Sequence, residues 1–319
     1  MRGKIVVLAI VVVGILIFCA SLWNAYLHKP GPLQTEVTIE IPKGSASGQI
    51  AELLTYNGVT NSFVSFKIAA KLSLMEKSLK AGEYTFQPHI SLKDVINKIA
   101  KGQIIQHFIT FPEGWTAAQV AEKLQRQEGL TGSILYLEEG TLLPQTYAYN
   151  KGDERADVIK SMQDDMREVV AEIWRMREQN NFIQKPMDLI TLASIVEKET
   201  SKVEEQAHIA GVYLNRLKQR MRLQADPTVI YGAKSFNGDI TREHLKQDHP
   251  YNTYTRHGLP FGPICNPGKS ALYASAHPEV TEDLYFVSDG NGAHVFAKTL
   301  QEHTKNVKNY LKIYRSKHK

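Results

Sequence analysis

The chain has 319 residues, 43% hydrophobic and 22% charged, so it can build two or three folded domains and is not a disordered or low-complexity chain. Its net charge of +5 is mild and forms no basic patch interleaved with aromatics, which argues against nucleic acid as a partner. Two cysteines, Cys19 and Cys265, make no disulfide framework and no Cys/His spacing suits zinc, so neither a metal nor another cofactor is expected.

From Ile5 to Trp23 the chain is almost continuously apolar, with Arg2 and Lys4 before the run and Trp23, Tyr26 and Lys29 after it. A helix of that length spans a bilayer's hydrocarbon core, and the early positive charges keep its N-terminus cytoplasmic. A cleaved signal peptide is the competing reading, but no small-x-small site follows the run convincingly. Residues 1–28 are therefore read as a cytoplasmic N-terminus and single-pass anchor, with residues 5–27 in the lipid bilayer. Everything beyond His28 is then expected outside the cytoplasm. Residues 29–35, including Lys29-Pro30-Gly31-Pro32, form a stiff linker.

An internal repeat follows. The stretch Ile41-Pro42-Lys43-Gly44 through Gln49-Ile50-Ala51-Glu52-Leu53-Leu54 aligns without gaps with Phe111-Pro112-Glu113-Gly114 through Gln119-Val120-Ala121-Glu122-Lys123-Leu124. In each copy a β-rich stretch, 37–41 or 107–111, passes through a Pro-x-Gly turn into an amphipathic helix. Further helices are predicted at 62–74 and 91–101, with a strand at 82–86. Between 153 and 180 a long amphipathic helix carries Ile159, Met162, Met166, Val169, Ile173 and Trp174, a stripe that core packing explains better than a partner groove.

The third unit starts near Pro186. Leu189, Leu192, Ala193 and Val196 share one face of a helix that ends near Glu199 or Thr200, and Ser201 with Glu204 reads as a capping box for the next helix, about 203–220. Residues 221–267 read as irregular and polar-rich. A hairpin, 284–288 with 293–297, turns through Asp289-Gly290-Asn291-Gly292 and precedes a terminal helix. His277 and His294 read as structural histidines. The basic tail from Lys305 to Lys319 suits an anionic membrane surface or an acidic cell-wall polymer, although a solvated helix face explains it better.

The chemistry concentrates at Glu197-Lys198-Glu199-Thr200. A carboxyl at the C-terminal end of a helix feels the negative pole of the macrodipole, and partial shielding removes hydration. Both effects favour the protonated form, which can act as a general acid near neutral pH. The plain alternative is two solvated charges ending an ordinary helix. The irregular stretch adds Gln224, Asp226, Asn237, Asp239, Tyr251, Asn252, Tyr254 and His257, the amides, carboxylates and tyrosines that a carbohydrate cleft uses.

Glu199-Thr200, Met221-Arg222-Leu223-Gln224 and Tyr251-Asn252 are similar, in order, to the Glu-Ser, Gly-Leu-Met-Gln and Ala-Tyr-Asn signatures of lytic transglycosylases. More closely, Ala193 to Thr200, Leu214-Asn215-Arg216-Leu217, Leu223 to Gly232 and Tyr251-Asn252-Thr253-Tyr254 resemble the endolytic murein transglycosylase, or YceG-like, family. Gly258-Leu259-Pro260, Pro263-Ile264, Ala276-His277-Pro278 and Leu284-Tyr285-Phe286-Val287 extend the likeness. The resemblance implies an α+β fold: a transmembrane helix, LysM-like α+β modules and a mixed α+β catalytic domain of lytic-transglycosylase type. The implied divisions are a LysM-like module at 36–105, a second α+β module with the long connecting helix at 106–183, and the catalytic domain at 184–319.

The same resemblance implies an inner-membrane enzyme with a periplasmic catalytic domain that cuts nascent peptidoglycan strands internally, leaving 1,6-anhydro-N-acetylmuramic acid ends and stopping strand elongation. Glu199 is then the catalytic acid and base. Gln224, Asp226, Tyr251, Asn252 and Tyr254 bind substrate, Glu197 and Thr200 support, and peptidoglycan synthases are expected partners. Thr200 replaces the wider superfamily's serine, Met221-Arg222 its Gly-Leu, and Gln145 stands where the family often has Asp, a change expected to remove only a structural carboxylate. Two rival readings are a lysozyme-like hydrolase using Asp226 to activate water or to stabilise the sugar cation, and a non-catalytic, membrane-tethered glycan-binding adaptor.

Overall fold

The computed structural model describes residues 2–233 and 236–317; the side chain of Arg2 and the last residue of the basic tail, Lys319, lie outside the described residues. Helices and short strands are mixed along the chain, which forms two compact units. One comprises residues 1–108, 129–131 and 148–153, the other residues 109–128, 132–147 and 154–319.

The first unit opens with helix α1 (Arg2–His28). Its segment Gly3–His28 is long and apolar enough to cross a membrane, at 26 residues or about 39 Å. Strand β1 (Val37–Ile41), helices α2 (Ser47–Tyr56) and α3 (Phe63–Leu72), strand β2 (Gly82–Phe86) and helix α4 (Leu92–Lys101) follow. β1 and β2 pair antiparallel with Ile39 opposite Tyr84. Alternation puts Ile39 and Ile41 inside with Tyr84 and Phe86, where Leu54, Phe66 and Ile99 close the core. Thr38 and Thr85 share a 3.0 Å hydrogen bond on the outer face. Ser62 and Ser91 cap α3 and α4 by accepting backbone N–H bonds, which is why these helices begin one residue inside the sequence expectation.

The second unit holds β3 (His107–Thr110) from Ile109 onward, α5 (Ala117–Arg126) and the first half of β4 (Thr146–Tyr149), a strand that β3 pairs with and that the sequence did not announce. The repeat has a physical explanation. Gly44 and Gly114 both adopt positive φ, at 83° and 75°, which favours glycine in the turn. Gln49 and Gln119 then reach back to the backbone N–H of Ala46 and Thr116, at 2.8 and 2.9 Å, closing the first turn of each helix. Gln145, beside β4, donates to Asp165 at 2.5 Å, so the amide pairs where a second carboxylate would repel.

Helices α6 (Arg155–Met176), α7 (Pro186–Glu199), α8 (Val203–Lys218), α9 (Asp226–Gly232), α10 (Arg242–Lys246) and α11 (Lys269–Ala276) follow. Hairpin strands β5 (Tyr285–Ser288) and β6 (His294–Ala297) and helix α12 (Leu300–Lys317) complete the unit. α6 is shorter than expected because Asp153 is used in the preceding turn, where its carboxylate accepts the Asn150 N–H at 2.7 Å. At its other end Asn180 accepts from Phe182 and Ile183 N–H and holds a turn.

The apolar face expected on α7 is buried, and burial extends to every residue from Leu189 to Val196, with α6, α8, α9 and α11 packed around it. Two sequence expectations need correction. Ser201 and Glu204 make no capping box; Thr200 instead accepts the Lys202 N–H at 3.1 Å, and α8 starts at Val203. The stretch 221–267 contains α9, opened by Asp226-Pro227, and α10, capped by Thr241.

Gly140 tests the packing of this unit. Its φ is +76°, and a Cβ there would lie 2.6 Å from Pro263 Cγ and 2.8 Å from Ile190 Cγ2. Gly140→Ala is therefore expected to destabilise the protein by about 2–4 kcal/mol, combining left-handed strain with overpacking. Urea unfolding of the detergent-solubilised chain measures it, and an unchanged midpoint would contradict the packing described.

Candidate active site

The end of α7 delivers two carboxylates in different directions. At its start Asp188 accepts the N–H groups of Gln184 and Lys185, at 3.0 and 3.1 Å, fixing the helix entry. Eight buried residues in succession then leave the far end little freedom. Glu197 turns to Gly268, whose N–H donates to it at 2.9 Å. Burial raises the Glu197 carboxyl above its ordinary range, with the Gly268 bond opposing.

Glu199 turns toward α8. Tyr213, 1% exposed, donates its hydroxyl to Glu199 Oε1 at 2.5 Å. Burial pushes the Glu199 carboxyl up to about 7; Asp226 adds to the rise, while the Tyr213 bond and the Arg216 charge oppose it. Glu199 stands in the wall of a cavity of about 280 Å³. A half-buried carboxyl that keeps its proton near neutrality, yet faces a space large enough for part of a sugar, is equipped for general acid work.

Gln224 and Asp226 line the same cavity. They reach it by alternation: Leu223 and Ala225 are buried, and the intervening polar side chains point outward. Gln224 sits in the left-handed region at φ +49°, a conformation uncommon for a non-glycine residue and held here by its N–H bond to Thr253 O at 3.2 Å. The buried Thr253 hydroxyl also accepts from Ala225 N–H at 3.0 Å and meets the Thr228 hydroxyl at 2.9 Å. Tyr254 follows in the chain, lines the cavity and donates to Asp226 Oδ1 at 2.6 Å.

Two of the expected substrate contacts lie elsewhere. Asn252 is fully buried; its amide donates to the carbonyls of His244, Leu245 and Gln247, and its Oδ1 accepts the Tyr254 N–H. It therefore organises the loop that presents Tyr254 and has no group left for a ligand. Tyr251 does not line the Glu199 cavity but packs edge-on to Tyr231 and Phe261, with centroids 4.8 and 6.2 Å away. Thr200 is buried at the helix end and donates to Glu205, which His294 grips through both its N–H and its ring at 3.0 and 2.7 Å.

The remaining cavity wall was missed in the sequence. Tyr213 and Arg216 stand three residues apart on α8, and Tyr285, Phe286, Leu300 and His303 come from the hairpin and α12. Arg216 is 8% exposed and donates to the carbonyls of Leu284 and Leu223, at 2.6 and 2.5 Å. It thus fixes the residues just before Tyr285 and Gln224. The available signals are Leu214-Asn215-Arg216-Leu217 and Leu284-Tyr285-Phe286-Val287, two of the stretches that carry the family resemblance.

Fold and site together define a mixed helix-and-sheet protein with a carboxyl raised to about 7 in the wall of a polar, aromatic-lined cavity. The chain belongs to the YceG-like family, whose model matches residues 39–309. It is 32% identical over 311 residues to the endolytic murein transglycosylase of Bacillus subtilis (strain 168), covering 87% of this chain and 86% of that protein. Its identity to the endolytic murein transglycosylase of Streptococcus pneumoniae serotype 2 (strain D39 / NCTC 7466) is 27% over 324 residues, with 86% of this chain and 58% of that longer protein covered. The crystal structure of a YceG-like protein from Listeria monocytogenes superposes with a TM-score of 0.54 at 29% identity, covering 85% of this chain and 99% of that one.

The Glu199 proton has a consequence for stability. Because the carboxyl titrates at about 7 when folded and 4.5 otherwise, the native state binds the extra proton between those values and loses stability as pH rises through them. Glu199→Gln removes that loss while keeping an acceptor for Tyr213. The variant is expected to gain up to about 3 kcal/mol relative to wild type by pH 8 and nothing at pH 4. Thermal melts across this range check it, and a pH-independent difference would mean that Glu199 ionises as it does in water.

Proposed function

We propose that this chain is an endolytic lytic transglycosylase that cleaves the β-1,4 bond between N-acetylmuramic acid and N-acetylglucosamine within nascent peptidoglycan strands. The observation that carries the reading is the Glu199 carboxyl, raised by burial to about 7, in the cavity it shares with Asp226, Gln224 and Tyr254. Both named relatives described above are murein transglycosylases, which supports the same substrate.

In the proposed reaction Glu199 gives its proton to the glycosidic oxygen as the bond to the muramyl anomeric carbon breaks. The leaving sugar departs as a neutral alcohol, and positive charge grows on the muramyl ring. Asp226, steadied by the Tyr254 hydroxyl, stands opposite in charge to that cation. The Glu199 carboxylate, steadied by Tyr213, then takes the proton of the muramyl 6-hydroxyl as its oxygen bonds to the anomeric carbon. A 1,6-anhydro ring closes, the carboxyl regains its proton and no water is consumed. Gln224 and Tyr254 position the sugar, while Glu197 and Thr200 hold the helix end that carries the acid.

Around this chemistry we place a LysM-like module at 36–105, a second module with its connecting helix at 106–183 and a catalytic domain of lytic-transglycosylase type at 184–319. Residues 5–27 anchor the chain in the inner membrane with the catalytic domain in the periplasm. There it meets strands as peptidoglycan synthases release them and ends their elongation. A second reading rests on Asp226: with a carboxylate in the same cavity as the acid, a directed water would yield hydrolysis and reducing ends.

Mass analysis of digested peptidoglycan decides between the two, since anhydro ends support the transglycosylase and reducing ends the hydrolase. Glu199→Gln is expected to lower cleavage by about a hundredfold or more, and undiminished cleavage would remove Glu199 from its role. Between pH 7 and 9 the wild-type rate is expected to fall by roughly tenfold per unit as Glu199 loses its proton. A rate that stays level to pH 9 would exclude Glu199 as the acid.

A further inference from the structure

His303 lines the cavity but has no part in the proposed reaction. It stands three residues after Leu300 on α12, so both side chains meet the cavity from one helix face. The imidazole stacks on Tyr285, with centroids 5.2 Å apart and planes within 24°. Arg216 holds its guanidinium 5.3 Å from the centre of the same tyrosine ring.

The two ring nitrogens differ. Nδ1 is buried and has no hydrogen-bond partner, while Nε2 is not among the buried unpaired atoms. Burial first, then the Arg216 charge, holds the imidazole below its ordinary value, so it is neutral at pH 7 and above. The Glu199 and Asp226 carboxyl groups and the Tyr213 and Tyr254 hydroxyls complete the titratable surroundings in the cavity. A neutral imidazole carries one N–H and one lone pair. Buried N–H groups without partners are rarer than under-satisfied acceptors, so the lone pair belongs on Nδ1 and the proton on Nε2.

We propose that His303 presents Nε2–H as a neutral donor to the carbonyl oxygen of a sugar N-acetyl group, making it a specificity residue for acetylated glycan. Leu300 and Phe286, in the same cavity wall, supply apolar surface for the acetyl methyl. A neutral donor suits this place: an imidazolium would add positive charge beside Glu199 and draw off the proton that the acid must keep. A glycan lacking the acetyl group offers, in its protonated form, an ammonium instead, which leaves the Nε2–H without its acceptor and sets two donors against each other. The proposal rests on the glycan reading of the cavity.

The test uses the full chain in detergent with Glu199→Gln, so that binding is measured without turnover. Its affinity for a tetramer of N-acetylglucosamine is expected to exceed that for the de-N-acetylated tetramer by about tenfold or more. Adding His303→Phe, which keeps the stacking ring but removes both nitrogens, should erase most of that preference by weakening the acetylated ligand alone. His303→Gln, which returns an N–H donor, should recover much of it. Equal weakening of both ligands by His303→Phe, or no recovery with glutamine, would overturn the assignment.

Nitrogen-15 NMR of the resting protein provides a readout independent of cleavage. His303 should show the Nε2–H tautomer at pH 7.5, and a proton on Nδ1 would sink the proposal whatever the activity. A parent that binds neither tetramer overturns the glycan reading together with this one. Cleavage of peptidoglycan by the wild-type chain, together with a discrimination by the Glu199→Gln parent that His303→Phe leaves unchanged, overturns this one alone.

Discussion

The structure turns on the contact between the Tyr213 hydroxyl and the Glu199 carboxyl. Burial alone would push an isolated acid toward permanent neutrality, and a carboxyl open to water would stay ionised through the physiological range. One phenol, itself buried, stabilises the charged state enough to bring the balance near neutrality, where a proton can be given and retaken. The packing around α7 serves that balance. A helix whose middle is buried on every side cannot rotate, and Thr200, just past its last residue, is tied to Glu205, which His294 holds in turn.

Much of the first unit was legible because its elements obey local rules. Strands at 37–41 and 82–86 alternate inward and outward residues, and serines at 62 and 91 announce their helices. α9 and α10 were illegible for the opposite reason: seven and five residues are too short for an apolar period to emerge. α7 could not be separated from a surface helix, since its fully enclosed middle includes Thr191 and Ser194, whose hydroxyls bond within the helix to Met187 O and Thr191 O. The misplaced capping box has a related origin, because the threonine one residue earlier accepts the Lys202 N–H and the helix begins only at Val203, one residue later than a Ser201 cap would start it.

At the site, Glu199 could be read from the apolar helix that ends in it, and Gln224, Asp226 and Tyr254 as the amide, carboxylate and tyrosine of an irregular, polar-rich stretch. Tyr213 and Arg216 could not, because a tyrosine and an arginine three apart on a helix look like one side of an exposed face. Asn252 illustrates a further limit. Its partners are backbone carbonyls at 244, 245 and 247, and a bond to a carbonyl leaves no trace in the identity of the residue that supplies it. A polar residue in a loop therefore reads the same whether it serves the chain or a ligand.

Arg216 draws a different consequence from the same chemistry. Its guanidinium ties the segment before Gln224 to the segment before Tyr285 through carbonyl oxygens, which every amino acid possesses. The shape of the opening is thus anchored independently of the letters that decorate it. Side chains that face the cavity can be exchanged without moving its frame, provided that the arginine stays and the two carbonyls remain within its reach.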